Sequence, residues 1–255
     1  VTAVGLGAFC ANAPRYIFYF IGDGMGMGHV MIADSYNRAI GVTEPMLITT
    51  FPYAGSAMTY SASSPVTDSA AAGTALSTGF KTRNNMVGMA PDTTSVTSIA
   101  TKLMGMGYGI GVISSNAPDD ATPASFYAHV DARQKYYDID CMSVESGFDF
   151  IGGANLRGAT DKQGNATDLL DRFAKAGVKV AYGPEELTGK ETGRVVLLNS
   201  NRTLNNTLGY AIDSIPGTMT LPVLTENCLS FLERNRPEKF FMMIENGLTD
   251  WASHA

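Results

Sequence analysis

The residues best equipped for chemistry are Asp23, Ser69, Asp120 with Thr122, Glu245, and Asp250 with His254, each at the edge of an apolar or small-residue run. An unpaired carboxylate in such surroundings is costly. Acids placed repeatedly at the edges of buried elements therefore point to divalent cations, and Ser69 beside them points to a metal-assisted nucleophile. Ser69 opens an Ala-Ala-Ala-Gly-Thr-Ala run. On a helix there, the N–H groups of the first turn would stabilise an anion. Each residue alone also has an ordinary explanation. Ser69 could be a simple N-cap, Asp120 an acid at a helix start, Glu245 a turn residue and Asp250 a solvent-facing one. Their joint convergence is harder to explain in that way.

The elements that must position these groups follow from hydrophobic patterning. Tyr16–Ile21 is a continuous apolar run closed by Gly22-Asp23-Gly24, which reads as a buried central strand with a sharp exit. Further strands are expected over 54–61, 108–114, 148–152, 178–182, 195–199 and 240–244, and helices over 29–39, 69–76, 95–104, 120–129, 167–176 and 221–234. Pro123 falls in the first turn of the 120–129 helix, where its missing N–H costs nothing. Helices alternating with strands at crossover lengths predict an α/β fold with a largely parallel sheet. Asp23, Asp120 and Glu245 all follow or end strands, and ligands of open α/β sheets gather beyond the C-terminal strand ends. The 182–220 segment is polar and turn-rich and reads as a peripheral excursion.

Bulk properties narrow the classes. The chain has 255 residues, 45% hydrophobic and 16% charged, enough for one full core and too apolar for disorder. A net charge of −6 without any Lys/Arg cluster gives no support for a nucleic-acid surface. Cys10, Cys141 and Cys228 are isolated, with no CxxC spacing, and read as ordinary small side chains. Residues 1–13 are small and apolar, and Ala11-Asn12-Ala13 resembles a signal-peptidase site, so export to the periplasm or medium is expected. No stretch reaches transmembrane length.

Four blocks carry a resemblance. They are Ile21-Gly-Asp-Gly-Met-Gly26, Val66-Thr-Asp-Ser-Ala-Ala71, Asp120-Ala-Thr-Pro-Ala124 with His129 and Arg133, and Glu245-Asn-Gly-Leu-Thr-Asp250 with His254. In this order and spacing the chain resembles the alkaline phosphatase family. The resemblance implies a three-layer sandwich around a largely parallel sheet, incomplete in this chain, with 14–255 as the N-terminal portion of one catalytic domain. It implies hydrolysis of phosphate monoesters through a phosphoserine, with two Zn2+ and one Mg2+. Ser69 would be the nucleophile and touch the second zinc, which Asp23 would bridge to magnesium. Asp120, Thr122 and Glu245 would complete the magnesium set, and Asp250 and His254 would hold the first zinc. Arg133 would clamp the phosphate, oriented by Asp68. His129 and Trp251 would stand in the surrounding shell, and a homodimer is usual for the family.

The residue types agree with these roles. Carboxylates with a hydroxyl suit Mg2+, and aspartate with imidazole suits Zn2+. Asp250 and His254 are four residues apart, so on a helical turn they face the same way. An arginine fork matches the free oxygens of a terminal phosphate. Departures are visible too. The remaining zinc ligands of the family would come from sequence beyond residue 255, and Trp251 stands where relatives carry lysine or histidine. A non-catalytic metal- or phosphate-binding protein, or a related phosphodiesterase or sulfatase, are the competing expectations.

Overall fold

The structure, a computed structural model, describes residues 13–204 and 206–254. The expected signal remnant at 1–13 and Cys10 therefore lie outside the described residues, apart from Ala13. The described elements are β1 (Tyr16–Gly22), α1 (Met27–Ala39), α2 (Ser69–Thr78), α3 (Ile99–Gly105), β2 (Gly109–Ser114), α4 (Ala121–Ala124) and α5 (Tyr136–Glu145). They continue as β3 (Phe150–Gly153), α6 (Leu169–Lys175), β4 (Lys179–Tyr182), β5 (Val195–Leu198), α7 (Leu221–Asn235), β6 (Phe240–Asn246) and α8 (Leu248–Ser253). The strands form one six-stranded sheet in the order β1-β6-β2-β3-β5-β4, and every pairing is parallel.

Helices cover both faces, giving three layers. On one face Ala70, Ala100, Leu103, Ile139, Leu169 and Phe173 pack against Ile110, Val112, Ile151, Phe241 and Met243. On the other, α7 lays Leu224, Cys228, Phe231 and Leu232 on Ile113, Phe150, Phe240 and Met242. Two strand glycines let α7 approach this closely. A Cβ at Gly111 would lie 2.6 Å from Cys228 Sγ, and one at Gly152 would lie 2.7 Å from Leu224 Cδ1. Among the described residues no helix is long and apolar enough to cross a membrane.

Three expectations change. Among the described residues β1 stands at the sheet edge rather than at its centre: it pairs only with β6, and Phe18 and Phe20 stand 45% and 66% exposed. Its aromatic run packs on β6 instead, with the Phe18 and Phe240 ring centroids 5.6 Å apart. Residues 54–61 form no strand; Lys81 Nζ donates to the carbonyls of Met58 and Tyr60. The 120–129 helix closes after Ala124. Ser125 Oγ donates back to Thr122 O at 2.6 Å, and the chain then turns to make the Val87–Val130 bridge. Helix α5 was not anticipated. The 182–220 excursion proves to be loops around β5, a buried strand seated between β3 and β4.

Asp149 ties the sheet to the α7–β6 connection. Its Oδ2 accepts the Ile110 N–H at 2.8 Å, while Oδ1 accepts from Arg236 Nη2 at 2.7 Å and Nε at 2.9 Å. The Asp149→Ala variant is expected to lose about 2–3 kcal/mol, the worth of charge-assisted bonds to a buried group, in urea unfolding. An unchanged midpoint would show that these bonds carry no stability.

Candidate active site

The register of the sheet builds the site. Ile21 of β1 and Ser114 of β2 both stand opposite Glu245 of β6, so three chain segments leave the sheet at one level. Asp23 follows directly, its backbone N–H donating to Asn246 O at 3.1 Å. The exit is tight. Gly24 has φ of +61°, and a Cβ there would lie 2.5 Å from Asp250 Oδ1, so glycine is required both for its backbone and for its lack of a side chain.

Ser69 is the first residue of α2, with Asp68 as its N-cap. Ser69 Oγ donates to Asp23 Oδ2 at 2.9 Å across a sequence separation of 46 residues. Asp68 holds the corner together with both oxygens: Oδ1 accepts the Ala71 N–H at 2.9 Å and Oδ2 the Asn85 N–H at 2.9 Å. The Asp68 Oδ2 atom also lies 3.5 Å from Arg133 Nη1. The other arm of Arg133 reaches Asp120, with Nη2 donating to Oδ1 at 3.1 Å. Arg133 is thus stretched between two carboxylates, its side chain 24% exposed toward solvent.

Asp120 caps the short helix α4 and is itself saturated. Its Oδ1 accepts the Ala121 N–H at 2.9 Å, and Oδ2 accepts from Asn116 Nδ2 at 3.1 Å. Burial works against its charge, but Arg157 and then Arg133 outweigh it and hold the carboxyl below the usual range. Glu245, 1% exposed, goes the other way. Burial pushes it up to about 8; the Ser114 hydroxyl opposes this, Asp23 and Asp120 add to it, and Thr122 offsets a little. Ser114 Oγ donates to Glu245 Oε2 at 2.5 Å. Asp23 is raised as well, by burial first, with the Ser69 bond opposing and Asp250 and Asp120 adding. The site is a crowd of carboxylates short of positive charge.

Asp23, Ser69, Asp120, Thr122, Glu245, Arg133 and Asp68 thus lie near one another in the structure, joined by the Ser69–Asp23, Arg133–Asp68 and Arg133–Asp120 contacts and by Thr122 beside Glu245. Asp250 stands beside Asp23, on α8, with His254 Nε2 3.4 Å from its Oδ1. His254 and Trp251 are exposed. His129 bonds elsewhere: its Nδ1 is 2.6 Å from Gly88 O, securing the turn before α3, and none of its hydrogen bonds reaches the site residues. Among the described residues, no group of three or more His, Cys, Asp and Glu side chains is gathered as a metal-holding cluster. Sequence reasoning missed Ser114, Asn116 and Arg157. The polar Ser114-Ser115-Asn116 triplet ending a wholly buried strand was a usable signal; Arg157, in a loop after β3, had none.

Comparison with known proteins agrees with this geometry. The family profile for alkaline phosphatase matches residues 15–152. The chain is 28% identical over 250 residues to alkaline phosphatase 4 of Bacillus subtilis, covering 94% of this chain and 52% of that protein. It is 27% identical over 260 residues to the alkaline phosphatase of Schizosaccharomyces pombe, covering 94% and 48%. The chain thus spans about half the length of these relatives. Among solved structures, the alkaline phosphatase of the Antarctic bacterium TAB5 superposes with a TM-score of 0.80 at 28% identity, covering 95% of this chain and 68% of that one. A TAB5 variant solved with Mg bound in its M3 site gives 0.76 at 26% identity, covering 94% and 66%.

The doubly used Asp68 yields a prediction. Asp68→Ala removes the α2 cap and the neighbour that holds Arg133, so stability should fall by about 1 kcal/mol in urea unfolding. Arg133 should then rest on Asp120 alone. A crystal structure of the variant with Arg133 unmoved would refute the latter.

Proposed function

Because the chain belongs to the alkaline phosphatase family, we propose that it forms the nucleophile-bearing part of a secreted phosphomonoesterase that works through a phosphorylated Ser69. The observation that carries this reading is the Ser69 Oγ–Asp23 Oδ2 bond of 2.9 Å, set at the start of α2 with Arg133 beside it. A hydroxyl at a helix N-terminus, next to a guanidinium that two carboxylates hold, is arranged to meet a phosphoryl group.

In the first half-reaction Ser69 Oγ gives its proton to Asp23 Oδ2 and forms a bond to phosphorus as the ester P–O bond breaks, and the departing alkoxide takes a proton from solvent to leave as the alcohol. Asp23 Oδ2 is the atom that holds the serine proton beforehand and fixes the direction of Oγ. Arg133 takes two non-bridging oxygens of the phosphoryl group, which a monoester has to spare. In the second, water attacks phosphorus, the P–Oγ bond breaks, and inorganic phosphate and free Ser69 result. Since the named contacts all go to the phosphoryl group, the leaving alcohol is loosely specified and small monoesters of many kinds are substrates.

The donor set fits a hard cation among Asp23, Glu245 and the Thr122 hydroxyl. Glu245, raised to about 8 by burial and by Asp23 and Asp120, marks a place where positive charge is wanted. We assign Mg2+ there, with Asp120, whose four described contacts occupy both oxygens, acting beside it. Asp250 and His254 supply two donors suited to Zn2+, and Asp23 with Ser69 borders the place of a second. When bound, these cations supply charge that stabilises the attacking and leaving oxygens.

Ser69→Ala is expected to abolish phosphoenzyme formation and turnover of an aryl phosphate monoester by the intact protein; full turnover would eliminate the mechanism. Exhaustive chelation should abolish activity, and Mg2+ with Zn2+ should restore it, whereas activity that survives chelation would remove the metal assignment.

A further inference from the structure

We propose that Arg157 is a second arginine of the site, a positioning residue that keeps Asp120 fixed when Arg133 turns to a bound phosphate. The inference rests on the phosphomonoesterase reading and extends it to a residue outside the four sequence blocks.

Arg157 is held through its backbone N–H and its Nε, while its buried Nη2 has no hydrogen-bond partner and meets Asp120 only as an ion pair. Its backbone N–H donates to Asp119 Oδ2 at 2.6 Å and its Nε to Asp119 Oδ1 at 2.7 Å. Its guanidinium carbon lies 3.9 Å from the Tyr136 ring centroid. The anchor is itself fully buried: Asp119 is 0% exposed and also accepts the Gly158 N–H at 3.3 Å. The buried Asp140 accepts the same N–H at 3.0 Å, so the turn carrying Arg157 is tied to α5 as well. What remains of the guanidinium faces the site, with Nη2 3.3 Å from Asp120 Oδ1.

That oxygen is the one Arg133 also holds, at 3.1 Å. The two arginines differ in freedom. Arg133 is shared between Asp68 and Asp120, the former at 3.5 Å, and can turn outward. The Arg157 guanidinium cannot leave without breaking its Nε bond to buried Asp119 and lifting off the Tyr136 ring. When Arg133 forks onto a phosphate it gives up part of its hold on Asp120. A nearly buried carboxylate that keeps only the neutral Ala121 N–H and Asn116 amide donors, with no cation beside it, is unfavourable. Arg157 stays behind to meet it, so Arg133 can be released without stranding Asp120. One guanidinium serves the ligand and the other serves the carboxylate, and Arg157 touches no substrate.

The test compares Arg157→Gln, Arg157→Lys and Asp119→Asn in the intact, metal-loaded protein. It reads the inhibition constant of inorganic phosphate, KM and kcat for a small aryl phosphate, and the thermal midpoint. Arg157→Gln should raise the phosphate constant and KM about 10- to 100-fold, the range for residues that support a site from behind, with kcat falling less. Arg157→Lys should recover part of the loss, since it keeps charge without the fork. Asp119→Asn, which loosens the anchor, should shift both constants in the same direction, and it decides the matter if Arg157→Gln does not fold. Unchanged phosphate constant and KM in the folded variants, whatever the drop in midpoint, would reduce Arg157 to a loop fastener. A wild-type protein that neither hydrolyses monoesters nor binds phosphate would overturn the underlying reading, a result distinct from active variants without a shift.

Discussion

Three carboxylates, Asp23, Asp120 and Glu245, share one corner beyond the C-terminal ends of β1, β2 and β6, and their mutual repulsion governs what surrounds them. Glu245 is raised to about 8 there, burial acting first and the neighbouring acids adding to it, while Asp120 is held low by arginines on two sides. The corner is therefore divided. One part is already neutralised by guanidinium; the other, around Glu245 and Asp23, is met by hydroxyls from Ser114, Thr122 and Ser69, with Arg133 acting weakly on Asp23. This uncompensated part of the corner is the one on which the proposed Mg2+ assignment rests.

The sheet is what forces the acids together. Parallel strands deliver all their C-terminal ends to one side, and the β1-β6-β2 order puts residues from the beginning and the end of the chain next to each other. Tight packing then leaves little latitude. Gly24 lets the chain turn against Asp250, and Gly111 and Gly152 admit α7 closely enough to brace the strands from behind. Helix α2 adds Ser69 from the opposite side, its N-cap Asp68 doubling as the rest for Arg133. Stability and site geometry use the same side chains, so a change at one is felt at the other.

Much of this was legible in the chain. The apolar runs of β2, β5 and β6 announced a parallel sheet, and Asp23, Asp120 and Glu245 marked acids at or beyond the C-terminal ends of β1, β2 and β6. Ser69 before a small-residue helix was readable for the same reason. The errors have a common cause. Tyr16–Ile21 is apolar enough for a central strand, yet burial depends on what lies on both sides, and periodicity does not carry that information. Residues 54–61 have strand-like composition but are unpaired among the described residues, their carbonyls at Met58 and Tyr60 taken by Lys81. The 120–129 stretch has helical composition, yet Ser125 bonds back to Thr122 and a bridge to Val87 draws the chain away after one turn.

By itself the sequence determined which side chains could do the chemistry and that strand ends would present them, because both depend on residue type and on neighbours a few positions away. Only the tertiary structure decided how the charges balance. Asp120 lies 37 residues from Arg157 along the chain and 3.3 Å from it in space, and nothing local in a loop after β3 announces that an arginine there will be pinned on a buried aspartate. Electrostatic energy follows distance and burial, and those are set by how the layers pack.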